Sequence, residues 1–235
     1  MILSSRMLSS FLLLLIFTPF QSAFSEALGT KWPGTSATFL TGHLPVGGPS
    51  GSLPGNTETW HAAAIEAASR WNDEQSVFTL ATSNAVGSGV CQNFGDNNLI
   101  FLLKACSSDF GTNTLAITAA WSLGTTIVKA DIIFNDNKKN WGIYDGPINL
   151  YSEDFRRVAT HEFGHAMGLA HTTTSSALMF PTASSTYLPT SDDVESLESI
   201  YTEVKDDSSG SIGFLLLSLI GIGGLRLLGA HKKAG

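Results

Sequence analysis

The 235-residue chain has only two cysteines, Cys91 and Cys106. That excludes a dense disulfide scaffold, and it excludes a metal site built on four thiolates. No uncharged apolar run approaches the about 20 residues that span a bilayer with ease; residues 11–17 and 212–225 come nearest. Basic residues are also few. Between residues 26 and 210 there are 9 Lys plus Arg against all 20 Asp plus Glu, a net charge of −11 with His neutral. Such a surface repels nucleic acid and anionic membrane and aids solubility outside a cell, so no nucleic-acid partner is expected. No internal repeat is visible, which removes solenoid architectures from consideration.

Histidine is sparse too, six in all, yet three fall in His161-Glu162-Phe163-Gly164-His165-Ala166-Met167-Gly168-Leu169-Ala170-His171. On a helix His161 and His165 share a face, so both rings reach one ion, and Glu162 projects beside it toward water. Gly168 can take a positive φ, ending the helix and swinging His171 back as a third ligand. Three neutral nitrogens leave a fourth tetrahedral position open, the arrangement of a catalytic zinc; structural zinc sites favour thiolates and fill all four positions. Five fixed residues at these spacings arise by accident on the order of once in 10^4 chains of this length. His43 and His61 have no partner at ligand spacing and read as ordinary surface or core residues.

The motif resembles the metzincin clan of zinc endopeptidases. Met179, eight residues beyond His171 in Ala177-Leu178-Met179-Phe180-Pro181, stands where these enzymes place a methionine under the three histidines. Thr172 after the third histidine, together with Ala-Leu-Met-Phe-Pro, gives the wording of the matrixins, the matrix-metalloproteinase-like family, here of bacterial type. The resemblance implies an α+β, zincin-like twisted mixed sheet with an active-site helix and a C-terminal helix. It also implies hydrolysis of internal peptide bonds, with zinc on His161, His165 and His171, Glu162 as general base, and Gly168, Met179 and Pro181 in support. Substrate would lie extended along an edge strand near residues 115–118, and residues 179–181 would wall the pocket for the side chain after the cut.

The chain departs from animal matrixins in several places. Ile133 stands where those enzymes carry a histidine for a second, structural zinc. Asp131, Asn135, Asp136 and Asp145 are candidate calcium ligands, the last within Tyr144-Asp145-Gly146-Pro147, which echoes a family calcium loop; a polar turn explains each equally well. The family's Pro-Arg-Cys-Gly propeptide core and its downstream propeller-like domain are not found. A cysteine that caps the zinc is therefore not expected. Two cysteines fifteen apart in an exported chain most simply form one disulfide, worth about 3 kcal/mol by loop closure.

Residues 1–25 read as a secretory signal peptide, with Arg6, an apolar run and Ala23-Phe24-Ser25 as the cleavage site; a short uncleaved anchor is the alternative. Residues 26–207 read as one matrixin-like catalytic domain. In residues 208–235 a Ser/Gly-rich stretch precedes an apolar run and a basic tail carrying Arg226, Lys232 and Lys233. This resembles the sorting tails of Gram-negative bacterial surface proteins, and a permanent single-pass anchor fits as well. The expected protein is an exported monomer, extracellular, at the cell surface or periplasmic, attached to membrane through that tail and acting on proteins or peptides.

Within the domain, Trp60, Ala64, Ala67 and Trp71 recur at helical spacing over residues 58–72 and face a sheet. Residues 77–80, 98–101, 114–118 and 127–134 read as strands. Ser152 is the expected cap of a catalytic helix running to about residue 169, and residues 190–193 open a last helix with Val194, Leu197, Ile200 and Tyr201 inward. Two other readings use the same site. One is a zinc-holding surface binding or adhesion module without turnover, against which the intact Glu162 argues. The other is a zinc hydrolase of small amides or esters, against which the Met179 segment argues.

Overall fold

Apolar and β-branched runs bounded by Gly, Asn and Asp build one mixed sheet, and the segments with helical spacing cover one face of it. In the computed structural model, residues 10–13, 29–49, 57–138 and 140–202 are described. Most of the expected leader and all of the C-terminal tail therefore lie outside the described residues. No helix among the described residues is long and apolar enough to cross a membrane. The elements are β1 (Ser10–Leu13), β2 (Ser36–His43), α1 (Trp60–Glu74), β3 (Thr79–Ser83), β4 (Asn97–Leu102), β5 (Ala116–Leu123), β6 (Thr126–Asn135), β7 (Trp141–Gly142), β8 (Glu153–Asp154), α2 (Phe155–Ala166) and α3 (Ser191–Tyr201).

The main sheet has the order β1-β5-β6-β4-β2-β3. Strands β3, β2, β4 and β6 run parallel, and β5 returns antiparallel on β6 with Ile117 opposite Ile133. β1, inside the expected leader, pairs antiparallel with Ala119–Ser122 of β5. The strands foreseen in the sequence are present but longer or shifted, and β2 was not foreseen. Its inward positions Ala37, Phe39 and Thr41 alternate properly, but only Phe39 is a large apolar residue, so the period is faint in composition.

Both faces of β5 and β6 are buried, which explains their nearly continuous apolar sequence. Ala116, Ala130, Ile132 and Phe134 join the main core with α1 and α2; Ile117, Ala119, Trp121 and Ile133 join a second cluster with Ala105 and the half-buried Cys91 and Cys106. Cys91 and Cys106 form the expected disulfide, Cα to Cα 5.4 Å, so neither is a thiolate for zinc. Ile133 is wholly buried in that apolar cluster.

Helix α1 places Trp60, Ala64, Ala67 and Trp71 inward as the spacing predicts. The rings of Trp60, Phe101, Phe134, Trp141 and Phe155 interlock at centroid distances of 4.6 to 6.4 Å, tying α1 and the start of α2 to the sheet. Helix α2 differs from expectation at both ends. Its cap is Asp154, whose Oδ1 accepts from Arg156 N; Ser152 lies too far upstream, its carbonyl accepting from the Tyr144 hydroxyl at 2.7 Å. It stops at Ala166, three residues early, because the left-handed Gly168 (φ +106°) turns the chain. In α3 Leu197 is buried as foreseen, while Val194, Ile200 and Tyr201 are half-buried and the fully buried partner is Asp193.

Candidate metal centre

Helical rise puts His161 and His165 one turn apart on α2, and the turn at Gly168 brings His171 beneath them. Nε2 of His171 lies 3.3 Å from Nε2 of His161 and 3.1 Å from Nε2 of His165. Three nitrogens about 2.0–2.1 Å from a tetrahedral zinc stand about 3.3 Å apart, so the three rings fit the ion. Among the described residues, these three form the one group of three or more His, Cys, Asp or Glu side chains able to share a metal.

The tautomers are fixed by the backbone. Nδ1 of His161 donates to the Leu178 carbonyl and Nδ1 of His165 to the Leu169 carbonyl, each at 2.7 Å. A carbonyl only accepts, so each Nδ1 carries the proton and each Nε2 keeps its lone pair for the metal. Burial also lowers the basicity of all three rings. His165 falls well below the usual imidazole range, and His171 is held down to about 3 by burial and by the His161 ring. Neutral imidazole is the ligating form.

The turn bearing Leu178 and Met179 is itself anchored. Asp193 accepts from Leu178 N (2.9 Å), Met179 N (2.9 Å) and both N and Oγ1 of Thr190 (2.8 and 2.7 Å). Met179 O accepts from Thr172 N just past His171. Met179 packs on α2 at Gly164, where a β-carbon would also stand 2.9 Å from Cζ2 of Trp71, itself fixed by donation to Thr160 O. At Gly168 a β-carbon would come within 2.6 Å of the Thr30 carbonyl. The motif signals Gly168; the need for Gly164 shows only once Met179 and Trp71 are in place.

Glu162 is wholly buried beside the histidines, next to a cavity of about 400 Å³ lined by Leu115, Ala116, Val158, His161, Leu178, Phe180 and Pro181, with Glu153, Arg157 and Lys138 among its polar groups. Burial pushes its carboxyl up to about 8, against the lowering effect of a hydrogen bond from Thr118. A cation at the three nitrogens works in the opposite direction from burial. Phe180 and Pro181 line the cavity, whereas Met179 packs on α2 at Gly164.

Among the described residues the candidate calcium ligands Asp131, Asp136 and Asp145 do not form a metal-holding group. Asp131 is buried in an ion pair with Lys129, whose Nζ lies 2.7 Å from Oδ2 and also donates to the carbonyls of Gly89 (2.7 Å) and Gln92 (3.0 Å). Asn135 is spent on Thr114 and Asn137, and Asp145 pairs with Arg70 and Arg156. His61 bonds Thr41 and His43 bonds Gly87 O, structural roles for both.

A twisted mixed sheet, a helix carrying His161, Glu162 and His165, a third histidine after a glycine turn and a methionine turn beneath define a metzincin-like zinc-site domain. A family profile described as matrixin matches residues 56–202, more than half of the chain. The chain belongs to the matrixin family. Human matrix metalloproteinase-20 is 42% identical over 71 residues, 28% of this chain and 14% of that protein. Bovine interstitial collagenase is 40% identical over 76 residues, 32% of this chain and 15% of that protein; human matrix metalloproteinase-26 is 32% identical over 76 residues, 31% and 27%. The chain spans less than a third of the length of each.

Proposed function

We propose that the chain is a zinc metalloendopeptidase that hydrolyses internal peptide bonds of proteins. The observation that carries this reading is the convergence of three Nε2 atoms, with two tautomers set by backbone carbonyls, beside a buried carboxylate at a cavity. His161, His165 and His171 would hold zinc, which supplies a Lewis acid that polarises the scissile carbonyl and acidifies water. Glu162 takes the proton from the attacking water and passes it to the departing amine. Leu115, Val158, Leu178 and Phe180 favour an apolar side chain just after the cut.

Substrate pairs along the outer edge of β5. Leu115 and Ala116 border the cavity, and β1 covers only Ala119–Ser122, so removal of residues 1–25 would open the edge throughout. Export through residues 1–25, attachment or release through residues 208–235, a monomeric state and a bacterial source belong to the same reading. Calcium is left out of it, because Asp131 is committed to Lys129 and Asp145 to Arg70 and Arg156.

The test is cleavage of an unfolded protein and a quenched peptide library by the zinc-loaded chain, beside Glu162→Ala. The reading expects cleavage that a chelator abolishes, and a variant that keeps one zinc but loses turnover. Full zinc with no peptide cleavage by the intact chain would sink it and favour the binding module or, if small amides are cut, the small-amide hydrolase.

A further inference from the structure

We propose that Thr118 is a positioning residue for the general base, an inference that rests on the endopeptidase reading. Thr118 lies on β5 in register with Ile132, with Ala116 two residues before it on the face that meets α2. That face is otherwise packed with apolar side chains, and a hydroxyl buried there needs a partner. Its partner is Glu162. Thr118 Oγ1 stands 2.7 Å from Oε2 and 3.0 Å from the carbonyl oxygen of the same residue. A hydroxyl has one proton, and the shorter, charge-assisted bond to the carboxylate takes it.

The consequence for Glu162 is asymmetric. Oε2 is tied to the sheet, while Oε1, buried like the rest of the side chain, has no hydrogen-bond partner among the described residues. Fixing one oxygen sets the carboxylate plane and leaves the other alone to serve water and the leaving nitrogen. The anchor is rigid because its backbone is locked into the β5–β6 ladder. It also joins the substrate-binding edge to the base, since β5 carries both the proposed pairing edge and Thr118. Substrate drawn onto β5 is thereby registered to the oxygen that must act on it.

The experiment compares the zinc-loaded full chain with Thr118→Val, which keeps the shape and removes the hydroxyl, and Thr118→Ser, which keeps the hydroxyl. Measurements are kcat and KM on a quenched peptide, zinc content, and a crystal structure of each variant. Thr118→Val should lower kcat roughly tenfold or more, as loss of one charge-assisted hydrogen bond at a base predicts, with KM within about twofold and zinc unchanged. Its Glu162 carboxylate should leave the single orientation seen in the parent. Thr118→Ser should keep both the orientation and kcat within about threefold of the parent. An unchanged kcat in Thr118→Val, or a Thr118→Ser variant that fails equally, would overturn the proposal, as would a loss that tracks zinc content. If the parent chain cleaves no peptide, the endopeptidase reading fails by itself, and the carboxylate orientation alone decides the role of Thr118.

Discussion

Replacing Lys129 with methionine removes an ammonium whose three protons are all committed, to Asp131, Gly89 O and Gln92 O, over the face of Trp121 at 4.5 Å. Both charged side chains are about fully buried, at 1% and 0% exposure, so solvent cannot compensate the orphaned carboxylate. Breaking a buried pair on one side costs about 3–5 kcal/mol. Asp131 keeps three donors, from Cys91 N (2.8 Å), Asn98 N (3.0 Å) and Asn98 Nδ2 (3.0 Å), which puts the cost near the lower end, about 3 kcal/mol. With a urea slope of about 1–3 kcal/mol/M, the unfolding midpoint should fall by about 1–3 M. For a domain of this size Tm should drop by about 6–12 °C. Lys104→Met is the control, since its pair with Asp109 is exposed on both sides and its loss should leave the midpoint unchanged. A Lys129→Met protein that unfolds within about 0.5 kcal/mol of the parent would refute the cost assigned to orphaning the buried Asp131 carboxylate.

Three further outcomes follow from the same geometry. Replacing Cys91 and Cys106 together by serine should cost about 3 kcal/mol in a urea titration, because a fifteen-residue loop is released, while zinc binding survives since neither sulfur approaches the histidines. Asp193→Ala removes the one carboxylate that accepts from four donors and frees the turn whose Leu178 carbonyl orients His161; zinc affinity, measured by competition with a chelator, should fall about 10–100-fold. Asp154 is pushed up to about 6 by burial, against the nearby Arg157, so its folded form binds protons that the unfolded form releases. Its contribution to stability is therefore fully present below about pH 4 and is lost as pH rises through about 6. Asp154→Asn should gain on the parent across that window, and a parent-minus-variant difference that is flat with pH would contradict the assignment.

The three-histidine motif was legible because its geometry is local. Four residues make a helical turn, so His161 and His165 share a face whatever surrounds them, and only a residue like Gly168 lets the chain reverse soon enough for His171. The amphipathic stripe of α1, the buried strands β4 to β6 and the cysteine pair were readable for the same reason, since apolar period and loop length belong to the chain itself. The sequence misled where tertiary partners choose among equals. Asp131 has the character of a calcium ligand until Lys129 takes its charge, and Ser152 is a good cap until Asp154, two residues on, makes the bond. β2 needed its neighbours to be recognised, because its inward face is mostly small. What only the folded chain decided are the contacts that bridge long separations: Leu178 O to His161 across 17 residues, Lys129 to Gly89 across 40, Thr118 to Glu162 across 44 and Arg70 to Asp145 across 75. Residue identity sets which groups could ligate or move a proton; burial and long-range hydrogen bonds set the tautomers, the held oxygen of Glu162 and the free one, because those depend on the dielectric and donors that the sheet and helices assemble around them.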